Sequence, residues 1–167
     1  MLLFAELLRE HHSMVYSLAY HALGDRAAAE DLTQEVFLAL YEHLDEIESP
    51  ALAKAWLLRV AANRSIDEIR RRGYRRSLSL EVAEPAHGPS QEETVLRAQV
   101  RGMVARLPAR ARTILILRYQ EGMELAEIAQ ALEVPVQTVK SRLHRSLNLL
   151  RQSIFRRAPD LRAARRI

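Results

Sequence analysis

The side chains with the richest hydrogen-bonding chemistry in this chain gather in one short stretch, VPVQTVKSRLHRSLNLLR, residues 134–151. Gln137, Lys140, Ser141, His144, Arg145 and Asn148 share one arc of a helix at about 100° per residue. Val136, Val139, Leu143, Leu147 and Leu150 fall on the opposite arc. Every polar residue of the first arc can donate a hydrogen bond, which base edges and phosphate oxygens accept. No carboxylate occurs from Pro135 through Ala158. A surface hairpin whose polar face only meets water is the bland alternative, but such a face more often mixes both signs. Upstream, Leu125, Ile128, Ala129 and Leu132 form a shorter apolar stripe. The two stretches together read as a helix-turn-helix over 121–151, whose second helix can enter a major groove. Pro135 suits the first turn of that helix, where a missing N–H costs nothing.

Catalytic chemistry is not visible. The sequence has no Gly-rich phosphate loop, no HExxH and no Gly-x-Ser-x-Gly. His11 and His12 are adjacent, so they point about 100° apart on a helix and make poor joint metal ligands. They are expected to be solvated or satisfied. The reading is therefore a protein that is not an enzyme and carries no cofactor or metal. Cysteine is absent, which excludes disulfides and suits a reducing, cytoplasmic setting. No apolar run approaches the roughly 20 residues that span a bilayer, so no membrane insertion is expected. The start, MLLFAELLRE, lacks the basic segment of a secretory signal.

The elements that must position the polar arc are helical. Of 167 residues, 49% are hydrophobic and only five are glycine and six proline, as in an all-α protein of one ordinary or two small domains. Residues 2–23 form a first helix, ended by Gly24, with Asp25 as N-cap of a second helix from Arg26 to Ile47. Leu32, Val36, Leu40, Leu44 and Ile47 are its buried stripe. Asp31, Gln34, Glu35, Leu38 and Glu42 then face elsewhere, an acidic surface with an apolar residue in it. Ser49-Pro50 opens a third helix that reaches about Gly73, with Trp56, Leu57, Val60 and Ile69 inward and arginines at 70, 71, 72, 75 and 76. Residues 77–91 break the periodicity and read as a flexible linker between two domains. Ser90 to Glu93 has capping-box spacing for a helix over about 91–106. Another helix over 109–119 leads into the helix-turn-helix, and a basic tail (158–167) closes the chain.

The formal net charge of +4 hides a segregation. Residues 1–48 carry 10 acids and 2 bases, residues 49–76 carry 2 acids and 8 bases, and residues 108–167 carry 5 acids and 12 bases. Two basic blocks imply two contacts with a polyanion, and the acidic block implies a protein partner. Cations at a helix C-terminus gain only about 0.3–1 kcal/mol from the macrodipole. Five arginines in seven residues exceed that need and point to nucleic acid.

Three stretches, taken in order, resemble the bacterial RNA polymerase sigma factors of the extracytoplasmic-function (ECF) group of the sigma-70 family. They are AAAEDLTQEVFLALYEHL (27–44), AWLLRVAANRSIDEIRRR (55–72) and LPARARTILILRYQEGMELAEIAQALEVPVQTVKSRLHRSLNLLR (107–151). The resemblance covers about residues 4–76 and 92–151. It implies a first domain (1–76, sigma region 2) that binds core polymerase and the minus-10 promoter element. A second domain (92–157, sigma region 4) would bind the minus-35 element. The core-docking residues would be Asp31, Gln34, Glu35 and Leu38, with Leu32 and Phe37 in the same motif. Minus-10 contacts would come from Arg59, Asn63, Arg70, Arg71, Arg72 and Arg75, with Asn63 near an extruded base and Trp56 in the packed interior. Minus-35 contacts would come from Gln137, Lys140, Ser141, His144 and Arg145, with Thr138 and Arg142 at phosphates.

The implied partners are core RNA polymerase (clamp and flap), promoter DNA and an anti-sigma factor. In the free chain the two domains can pack together and hide both the Arg70–Arg76 segment and the recognition helix. The competing reading is a helix-turn-helix regulator that acts without being a polymerase subunit. A third is an interaction protein whose basic face meets RNA or acidic protein. Two departures from the family stand out. Glu133 occupies a turn position where glycine is usual, because a left-handed conformation is easiest without a Cβ, so mild strain or an altered turn is expected. Gln137 stands where a small residue is frequent, so a different promoter preference is expected.

Overall fold

The computed structural model describes residues 4–78 and 95–157; residues 1–3, residues 79–94, which hold most of the 77–91 linker and the Ser90–Glu93 capping box, and the tail of 158–167 lie outside the described residues. The first two linker positions continue the third helix. Helices α1 (Phe4–Leu23), α2 (Arg26–Glu42) and α3 (Pro50–Leu78) form the first half. Helices α4 (Val95–Val104), α5 (Ala109–Tyr119), α6 (Leu125–Ala131) and α7 (Val136–Arg157) form the second. The described residues include no strand.

Helix α1 ends where Gly24 takes a left-handed φ of 68° and its N–H returns to the Tyr20 carbonyl at 2.8 Å. Asp25 then caps α2, its carboxylate accepting from the Ala28 N–H at 3.1 Å. The second helix is shorter than its apolar period implied. At His43 the imidazole Nδ1 lies 2.9 Å from the Ala39 carbonyl, and the chain tightens into a single 3₁₀ turn over Leu44–Glu46. Leu44 and Ile47 are consequently half-buried, whereas Leu32, Val36 and Leu40 are fully inside. The third helix is longer than expected and runs through Gly73, which keeps a negative φ. A glycine within a helix costs only about 0.5–1 kcal/mol and does not by itself end one.

Leu7, Val15, Leu18, Leu40, Leu57, Ala61 and Ile66 make the center of the first half, each at most 3% exposed. Trp56 is half-buried rather than interior, its ring tilted against His43 at 5.8 Å between centroids. His11 is buried with Nε2 lacking a partner, while His12 is exposed and stacks on Tyr16 and Phe37.

The core does not stop at the boundary between the halves. Ile114, Ile116, Leu117, Ile128, Leu132 and Val139 belong to the same buried cluster as the first-half residues. Helix α5 packs on α1 and α3, and α6 packs on α3. Polar contacts finish the seam. Arg112 donates to the Ala22 carbonyl at 2.9 Å, and Arg101 reaches the Tyr20 hydroxyl at 3.4 Å. Arg112 also donates to the carbonyls of Ala105 and Leu107, so one guanidinium ties the α4–α5 turn to the end of α1.

Candidate nucleic-acid and protein interfaces

The helix-turn-helix is set by α6, a Schellman turn and α7. The Val134 N–H bonds to the Ala129 carbonyl at 3.0 Å and the Glu133 N–H to the Gln130 carbonyl at 3.3 Å. This pattern requires a left-handed residue just past the helix, and Glu133 supplies it with φ 52°. The strain expected from its sequence position is present, and the turn is otherwise the regular one. Arg118 braces the entry to α6, donating to the Met123 carbonyl and the Glu124 carboxylate, both at 2.9 Å. The Pro135 carbonyl accepts from Thr138 and Val139 to start α7.

Val139 and Ser146 are buried beneath α7, with the Ser146 hydroxyl donating to the Arg142 carbonyl at 2.8 Å. On the outer side Gln137, Lys140, His144 and Arg145 are exposed, while Thr138, Ser141 and Arg142 are half-buried at its flanks. Ser141 already donates to the Thr138 carbonyl at 3.1 Å, and His144 lies 2.9 Å from the Asn148 amide. Packing of the halves therefore leaves the outer face of the recognition helix open, contrary to the expectation that it would be hidden. The main packing against the first half is made by α5 and α6, and of the recognition face only Arg145, with Arg142 at its flank, lines a cleft with Arg70 of α3.

The arginine run at the end of α3 is less available. Arg72 bonds to Glu68 at 2.7 Å and lies 3.6 Å from Asp25, and Arg71 also bonds to Glu68. Burial would raise the Glu68 pKa, but hydrogen bonds from Arg72 and Arg71 and their charges outweigh it and leave the carboxyl below its ordinary 4.5. Arg70 is exposed and Asn63 is half-buried; the side chain of Arg75 lies outside the described residues. Arg59 is exposed and its Nη1 stands 4.0 Å from the Glu133 carboxylate of the other half.

On α2, Asp31, Gln34, Glu35 and Leu38 are all exposed, with Leu38 at 61%. Phe37 and Leu32 of the same motif point into the core. Glu35 is held by Arg64 of α3 at 2.8 Å, a pairing across 29 residues that no local pattern signals. Sequence reasoning also missed Arg110. With Arg70, Arg142 and Arg145 it lines a cleft of about 550 Å³ between the halves, floored by Pro108, Ala109, Ala111 and Leu149. One amino group of Arg142, Nη1, is buried without a hydrogen-bond partner. Among the described residues there is no metal-ligating cluster and no helix long and apolar enough to cross a membrane.

These surfaces sit in the two segments that match known families. Residues 7–75 match sigma-70 region 2 and residues 97–150 match sigma-70 region 4. The chain belongs to the sigma-70 family, in its ECF group. It is 32% identical over 165 residues to the ECF RNA polymerase sigma factor SigW of Bacillus subtilis, covering 90% of this chain and 88% of that one. It is 33% identical over 153 residues to the ECF sigma factor SigL of Mycobacterium tuberculosis, covering 89% and 86%. The fold is that of the sigma factor RpoE of Bartonella quintana, solved with its anti-sigma factor NepR. That match has a TM-score of 0.73 at 24% identity and covers 89% of this chain and 94% of the other. In this sigma factor the two matched regions coincide with the two halves of the fold.

Proposed function

We propose that this sigma factor binds core RNA polymerase through the exposed face of α2 and directs it to a restricted set of promoters. The observation that carries the reading is the presence of two exposed surfaces of opposite chemistry. One is acidic with an exposed leucine, made of Asp31, Gln34, Glu35 and Leu38. The other is the carboxylate-free outer face of α7, presenting Gln137, Lys140, His144 and Arg145. In this reading α7 enters the major groove at the minus-35 element. Arg59, Asn63 and Arg70 of α3 act at the minus-10 element, Asn63 on an extruded base. The chain works as two domains, 1–76 and 92–157, separated when both elements are engaged. No step of the mechanism asks for a catalytic group; initiation chemistry belongs to the polymerase. An anti-sigma factor, as in the RpoE–NepR complex, is the expected antagonist.

The deciding experiment is run-off transcription from genomic DNA fragments with core polymerase, with and without the chain. Discrete transcripts that require the chain are expected. Sequence-specific DNA binding with no effect on polymerase would instead make it an ordinary helix-turn-helix regulator.

A further inference from the structure

Glu133 carries a conformational cost with no local return. It holds φ 52° in the turn, where a Cβ crowds the following carbonyl oxygen and a glycine would not. The Schellman hydrogen bonds are made by backbone and need no carboxylate. What the side chain does reach is Arg59, 4.0 Å away on α3 of the other half. Among the ion pairs between described residues, this is the one that joins the halves.

Closure of the halves has an electrostatic cost that such a pair offsets. It brings Arg70 of α3 into one cleft with Arg110, Arg142 and Arg145, and no carboxylate lines that cleft. The seam also holds apolar packing and hydrogen bonds from Arg112 to the Ala22 carbonyl and from Arg101 to the Tyr20 hydroxyl. Glu121 stands near Lys54 of α3, but its burial outweighs that attraction. We infer that Glu133 is an autoinhibitory latch: its carboxylate occupies Arg59 and biases the free chain towards the closed arrangement until a DNA phosphate takes its place. The inference rests on the reading of Arg59 as a DNA contact. The latch is weak by construction. The Arg59 and Glu133 side chains are 45% and 76% exposed, so water and salt screen the pair and it shifts the balance by a small factor. A weak bias is what a docking polymerase or a promoter can reverse.

The chain has no cysteine, so Glu30→Cys and Gln152→Cys, both at exposed sites, accept a donor–acceptor dye pair that reports the separation of the halves. Glu133→Gln keeps the left-handed Cβ and removes only the charge. It should move the closed-to-open ratio towards open by about two- to five-fold, the range open to an exposed pair. Raising the salt should open the wild type more than this variant. Arg59→Glu should open the chain likewise, and combining it with Glu133→Arg should restore closure, which mere damage to the turn would not do. Low-salt binding of duplex DNA to Glu133→Gln should tighten, because a phosphate no longer has to displace a carboxylate from Arg59. Equal ratios in wild type and Glu133→Gln, failure of the reversed pair to restore closure, or opening without tighter DNA binding would each overturn the latch. The separation is read without polymerase, so a negative run-off assay and a negative latch result remain distinguishable.

Discussion

Two basic surfaces of this sigma factor look alike in sequence and differ in the folded chain. The end of α3 has the denser run of arginines, yet Arg71 and Arg72 are engaged by Glu68, with Asp25 also near Arg72, and Arg59 faces Glu133. The recognition helix has fewer cations, but no carboxylate lies along it, and Lys140 and Arg145 make no ion pair with a described residue. On the function proposed above, availability as well as density decides how readily each basic surface can take a phosphate. An arginine already holding a carboxylate must give up that pair before it can hold a phosphate, whereas a free one gives up only water.

The comparison is broken most directly on α7. Lys140→Ala or Arg145→Ala should cost about 1–3 kcal/mol on the preferred promoter and relax preference at one base pair. Binding of the polymerase-bound factor to a set of single-base promoter variants reads this out. An equal loss on every sequence would reassign that residue to a phosphate and narrow the contrast with α3.

On α3 the contrast is between neighbours. Arg72→Ala should lower the stability of the fold, by up to about 1 kcal/mol because the network is partly exposed. Arg70→Ala should leave stability unchanged and weaken DNA binding with a shallower salt dependence. Urea unfolding and salt titrations separate the two. The pH behaviour sharpens the point. The Glu68 pKa is depressed in the folded chain, so its contribution is present above the ordinary 4.5 and is lost as pH falls through the lowered value. Arg72→Ala should flatten that acid loss, and Arg70→Ala should not.

The smallest expected effect is at the seam. Burial raises the Glu121 pKa above 4.5, although a hydrogen bond from Ser17 and the charge of Lys54 work against it, and Oε1 has no partner. A raised acid favours the folded, closed chain while protonated. Stability is therefore lost as pH climbs from 4.5 through the raised value. Glu121→Gln should remove that slope and stabilise the chain at neutral pH by a few tenths of a kcal/mol, roughly, since the group is only partly desolvated. Thermal unfolding across mildly acid to neutral pH measures it.

Much of the molecule was legible before any coordinates. The Gly24–Asp25 break and the left-handed cost at Glu133 follow from adjacent residues and appear where expected, whereas of the apolar stripe of the recognition helix only Val139 is fully buried, Leu143, Leu147 and Leu150 are half-buried and Val136 is exposed. The exposed set on α2 was legible for the same reason, because Leu32, Val36 and Leu40 claim the inner face. The ends of α2 and α3 were not. A histidine bonding back to a carbonyl four residues earlier ended one early, and nothing local ended the other at Gly73.

Helix faces, caps and turn strain are properties of contiguous residues, since side-chain direction repeats every 3.6 positions and backbone preference is local. Those features the linear chain settles alone. Which arginines are free is a different kind of fact. Arg64 meets Glu35 across 29 positions, Arg112 meets the Ala22 carbonyl across 90, and Arg59 meets Glu133 only because α6 rests on α3. Composition counts charges but cannot pair them, because pairing depends on how two amphipathic surfaces dock. The closed seam, the arginine-lined cleft and the strained glutamate's partner therefore belong to the three-dimensional packing.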